Sequence, residues 1–172
     1  MKIDRSVFNI YLCALSLVWS GCSSSKDPDK NVKTAIRLHI EARNRDDRTA
    51  AVPIYRKSPL RMFVQKEPIL NESHISSAKV VEDLEGGGFS IELHFIRHAA
   101  WIIERASVDN KGHHLAIYAE FGQARWLAAP LMVKPISAGT LVFTPDATRK
   151  EAERIVKGLN NVASKLTTYE KW

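Results

Sequence analysis

The side chains with the clearest capacity for chemistry are six histidines and one acidic cluster. His113 and His114 are adjacent, and neighbours on a strand point to opposite faces, so the two cannot easily share one metal ion. His94 and His98 have the i, i+4 spacing of a helical metal pair, but a strand end is expected between them. His39 and His74 have no recognisable partner in sequence, so neither a metal site nor a cofactor is expected. Glu82, Asp83 and Glu85 flank a glycine run. Paired carboxylates can perform acid–base work, although such a cluster usually reads as a solvated loop. There is no serine in a strand-to-helix elbow pattern and no recognisable nucleophilic cysteine. The chain is therefore expected not to be an enzyme, with catalysis by the carboxylates near Glu82 as the alternative. Trp101, Trp126 and Tyr118 could supply an aromatic docking surface. Arg125 and Trp126, with Tyr118, are the candidate partner-binding residues, because exposed aromatic residues beside arginine are common interface anchors. In the competing reading, Trp126 closes over the core.

Cys22 offers a different chemistry. Lys2 and Arg5 precede a mostly apolar run from Val7 to Trp19, and Ser20-Gly21 lead into the cysteine. A membrane-spanning helix needs ~20 apolar residues, so this shorter run reads as a removable export signal. The arrangement resembles the processing site of bacterial lipoproteins, although Trp19 stands where that family favours Leu. The resemblance implies lipidation of Cys22, removal of residues 1–21 and a membrane-anchored domain in the periplasm. Residues 1–21 contain Lys2, Arg5 and Asp4, so the net charge of +6 becomes +5 without them. Such a charge favours anionic lipid or acidic polypeptide; nucleic acid is not an expected partner of an exported chain. Cys13 leaves with the signal, so the mature domain is expected to hold no disulfide.

These residues need a scaffold. Residues 22–31 are polar and unpatterned, which predicts a flexible tether, and residues 32–74 read as a strand-rich N-terminal part. Ile36, Leu38 and Ile40 alternate with Arg37, His39 and Glu41 at the period of a half-buried strand. Extended pieces are expected at 52–55 and 60–64, a short helical turn at 71–74, and a clear strand at 89–95 after the Gly86-Gly87-Gly88 turn. A helix over 98–107, a strand over 115–121 and short strands at 131–133 and 140–143 follow. Thr144, Pro145 and Asp146 predict the start of a last helix, whose apolar stripe is Ala152, Ile155, Val156, Leu159 and Val162. Residues 164–172 read as a tail. The expected fold class is α+β, an antiparallel or mixed sheet with two main helices packed on one face.

Residues 75–163 resemble the periplasmic head subdomain of SecD, the accessory component of the bacterial protein-export translocon. The landmarks are Gly112-His113-His114-Leu115-Ala116-Ile117, Ala129-Pro130, Ile136-Ser137-Ala138-Gly139, Phe143-Thr144, and the helix with Ala152 and Leu159. The resemblance implies a scaffold and a polypeptide-binding role. SecD proteins also carry transmembrane helices that drive movement of the head, and no such run follows residue 21. The functional expectation is a non-catalytic lipoprotein that binds polypeptide or a partner protein, with a link to protein export. The alternatives are an envelope enzyme acting on cell-wall or lipid material, or a structural protein lying on anionic lipid.

Overall fold

The computed structural model describes residues 31–83 and 87–169. Strands β1 (Ala35–Ile40), β2 (Thr49–Ile54), β3 (Leu60–Gln65) and β4 (Leu70–Asn71) precede a 3-10 turn at Glu72–His74. Then come β5 (Ile75–Glu82), β6 (Phe89–Phe95), helix α1 (Arg97–Asp109), β7 (Leu115–Glu120), β8 (Ala124–Ala128), β9 (Thr140–Phe143) and helix α2 (Arg149–Tyr169). The fold is α+β, as expected, with every strand pair antiparallel. One sheet has the order β4-β1-β7-β8, a second is the hairpin β2-β3, and a third has the order β5-β6-β9.

The alternation along β1, β6 and β7 decides where the core lies. Ile36 and Leu38 from β1, Ile91 and Leu93 from β6, and Leu115 and Ile117 from β7 are fully buried in one cluster. Each contributes about 1.5–3 kcal/mol by leaving water. Ala99 and Ile103 of α1 join that cluster with Ala152, Ile155 and Leu159 of α2. The opposite face of the four-stranded sheet is covered by the hairpin, where Val52, Ile54, Met62 and Val64 pack on Ala116 and Ala129.

Helix α2 also runs beside the outer edge of β5. The Asn160 side chain accepts from the Ala78 N–H at 2.8 Å and donates to the Ala78 carbonyl at 2.9 Å, taking the place of a neighbouring strand. Gly158, at the middle of the helix, permits a close approach to Thr34. A Cβ at that position would lie 2.2 Å from Thr34 Oγ1 and 2.8 Å from its backbone N.

Three expectations are corrected. The last helix starts at Arg149, not at Pro145. Thr148 and Glu151 form a reciprocal cap, with the Thr148 N–H donating to Glu151 at 2.7 Å and the Glu151 N–H to Thr148 Oγ1 at 3.3 Å. Asp146 is withheld from capping because it receives the Arg56 N–H and guanidinium instead. Residues 131–133 make no strand, only a single bridge from Leu131 to His114, since the Val133 N–H turns back onto the Leu131 carbonyl at 3.1 Å instead of continuing a ladder. In α2, Ala163 is buried, whereas Val162 is only half-buried, and the helix runs through most of the expected tail, to Tyr169.

Candidate functional site

Cys22, Glu85 and Trp172 lie outside the described residues. The other predicted residues do not converge on one centre. Arg125-Trp126-Leu127 belongs to β8. Trp126 is half-buried beneath the hairpin, its ring 5.2 Å from His39 and 5.3 Å from Tyr118. Arg125 has only 12% of its side chain exposed; it pairs with Glu151 at 3.0 Å and donates to the Asp146 carbonyl at 3.1 Å. The Arg125 bond to the carboxylate, followed by that from the Thr148 N–H, holds the Glu151 carboxyl down at about 2. Arg125 thus joins β8 to the start of α2. Tyr118 keeps part of its ring in solvent, with Arg37 5.9 Å over it and its hydroxyl donating to Glu120. Trp101 stands apart, exposed on α1.

The candidate catalytic groups are engaged elsewhere. Glu82 forms a two-pronged pair with Arg149, whose bonds lower its pKa, so it is not held protonated as a general acid would be. Glu41 lies 2.7 Å from His114 Nδ1 and 3.9 Å from His113 Nδ1, since His113 precedes the strand and escapes its alternation. Burial pushes Glu41 up, but the bonds from the His114 N–H and ring outweigh it and leave the carboxyl below its ordinary range. Burial leaves the His39 imidazole with a lowered pKa; its Nδ1 lies 2.8 Å from the Gln65 carbonyl oxygen. His94 sits 2.8 Å from Glu92, His98 is exposed, and His74 bonds to Asn71. Among the described residues no group of three or more His, Cys, Asp or Glu is placed to hold a metal ion.

The feature that sequence reasoning did not place is an open strand edge beside an apolar groove. Strand β9 is the last strand of its sheet. The Phe95 N–H donates to the Gly139 carbonyl, and alternation along an antiparallel ladder then turns the N–H and C=O of Thr140 and Val142 away from β6. No described strand pairs with them there. A groove of about 400 Å³ lies alongside, bounded by Thr140, Leu141 and Val142 and, opposite, by residues 130–137. Val133 is 60% exposed, Val142 50% and Leu131 47%, so its rim is apolar. Gly139 positions the edge: its φ is +63°, and a Cβ there would lie 2.8 Å from the Ala100 Cβ. The backbone N–H of Ile136 donates to the buried Ser107 hydroxyl at 2.8 Å, fixing the far wall against α1. The available sequence signal was the apolar run 131–133 between two prolines, which reads equally well as a strand.

An exposed edge of this type can add a strand from an extended chain, with backbone bonds giving affinity and alternate side chains entering pockets. Among the described residues, no helix is long and apolar enough to cross a membrane. No family model matches the chain, and no curated protein matches its sequence. Its structure is similar to that of SecDF in the super-membrane-facing form, with a TM-score of 0.56 and 18% identity over 76% of this chain. It spans 19% of that protein's length. A second similar structure is a membrane component SecDF that enhances protein export, with a TM-score of 0.56 and 16% identity, covering 93% of this chain and 70% of that one. The likeness therefore extends beyond residues 75–163 into the N-terminal half, and the chain has a SecD-like periplasmic domain fold.

Proposed function

We propose that this protein is a non-catalytic, membrane-anchored lipoprotein of the bacterial envelope, with its domain in the periplasm, that binds extended polypeptide and acts in protein export. Residues 1–21 serve as the signal, Cys22 carries the lipid, and 22–31 form the tether. The observation that carries the reading is the open edge of β9 beside its apolar groove. Four residues of β9 span about 13 Å, enough for a short extended segment to pair. The fold shared with a SecDF that enhances protein export supports the link to export. Tyr118 and Trp126, braced by Arg125, form a secondary contact on the other sheet.

Site-specific photocrosslinking tests this assignment. A photoreactive residue at Val142 or Val133 should capture an unfolded polypeptide, whereas one at exposed Lys150 on α2 should not. Equal capture from all three positions, or capture from Lys150 alone, would remove the assignment of the edge.

A further inference from the structure

The positive charge of the chain is concentrated in one place. Of a net +6, +5 falls within residues 43–66, where seven Lys and Arg face only Asp46 and Asp47. This segment is the β2–β3 hairpin with its approach. Because Val52 and Met62 point into the small core, their neighbours in the register, Ala51 with Phe63 and Pro53 with Arg61, form the outer face. The Arg45 guanidinium lies 4.1 Å over the Phe63 ring and caps it. Arg48, at one end, has 90% of its side chain exposed, and Lys57 lies in the turn at the other.

Few of these charges are neutralised. The hairpin's ion pairs are Arg48 with Asp46 and Arg56 with Asp146. Arg43 and Lys66 donate to the uncharged carbonyls of Asp109 and Asp47. Among the described residues, no ion pair engages Arg45, Lys57 or Arg61. A ribbon with Ala51, Pro53 and Phe63 at its centre and long cationic side chains around it matches the chemistry of a headgroup plane, where apolar stems pack and charges reach phosphate.

We propose that the outer face of β2–β3 rests on an anionic phospholipid surface. Arg43, Arg48 and Lys66 border a pocket at one end of the hairpin that Asp46 and Asp47 also line, whereas Arg45, Lys57 and Arg61 spread around the ribbon outside it, a spacing that suits an array of phosphates better than one acidic chain. The inference stands on charge placement and is independent of the polypeptide reading of β9.

Hydrogen–deuterium exchange of the full chain on vesicles tests it. Residues 49–65 should exchange several-fold more slowly on vesicles containing about 30% phosphatidylglycerol than on phosphatidylcholine alone. The difference should vanish in about 0.5 M salt. In the triple variant R45Q/K57Q/R61Q, affinity should fall by roughly fivefold per cation removed, while R45K/K57R/R61K restores it and K150Q/K165Q on α2 leaves it unchanged. Equal protection on both vesicle types, or undiminished protection in the glutamine variant, overturns the proposal. Protection by polyglutamate without protection by anionic vesicles also overturns it and assigns the face to an acidic polypeptide.

Discussion

The two outer edges of the three-stranded sheet are treated in opposite ways. At β5, α2 lies alongside and Asn160 satisfies both the donor and the acceptor of Ala78. At β9, the outward groups of Thr140 and Val142 meet no strand, and the neighbouring segment stands off across a groove of about 400 Å³. Proteins normally blunt exposed edges because they recruit other chains. One edge here is closed by a dedicated side chain, and the other is left open among apolar residues. In the proposed function the first edge serves stability and the second recruitment.

Substitutions at the closed edge should cost the most. Gly158→Ala places a methyl against the Thr34 backbone, and overpacking of this kind should lower stability by about 3 kcal/mol in a denaturant titration. Asn160→Ala leaves the buried Ala78 groups unpaired and should cost about 2 kcal/mol. It should also make β5 sticky, seen as concentration-dependent association; a monomeric variant of unchanged stability would break the contrast.

The start of α2, which Arg125 ties to β8, should respond more mildly. Glu151→Gln weakens the pair with Arg125 and should cost about 1.5 kcal/mol. Because the Glu151 carboxyl is depressed in the folded state to about 2, its contribution is complete above its ordinary value of 4.5 and lost as pH falls from there toward 2. The lowered pKa of His39 has the same sign at higher pH. Its neutral form is favoured by the fold, so stability is complete above its ordinary value of 6.5 and declines as pH falls below that. Denaturation midpoints measured from pH 8 to 3 should therefore fall in two stages, the earlier one absent in His39→Gln.

The smallest effect on stability should come from the open edge. Val142→Lys on an exposed strand position should shift stability by under about 0.5 kcal/mol. Crosslinking of polypeptide to the groove should nevertheless fall sharply, since an edge lysine opposes strand addition. A stable variant that still captures polypeptide at this edge as well as the parent would contradict the recruiting role.

Local signals were legible where a single element determines its own pattern. The alternation of Phe89, Ile91, Leu93 and Phe95 located β6, and the stripe from Ala152 to Leu159 located the core face of α2. They failed where a distant residue intervened. Thr144-Pro145-Asp146 has the composition of a helix start, but Arg56, 90 residues away, takes the Asp146 carboxylate, and the capping box falls at Thr148-x-x-Glu151. Trp126 reads as either exposed or buried in the sequence, because β2–β3, which covers that face of the sheet, is distant in the chain. The groove was hidden for the same reason. Its walls, residues 130–137 and β9, meet only because β6 sets the register of β9 and Ser107 anchors Ile136.

Amide exchange at the outward backbone groups of β9 tests strand addition most directly. With an unfolded polypeptide bound to the full chain, the Thr140 and Val142 amides should exchange at least about tenfold more slowly, as expected for new ladder hydrogen bonds. The Leu141 and Phe143 amides, already paired with β6, should change little. Bound polypeptide with no added protection at Thr140 and Val142 would contradict strand addition at this edge.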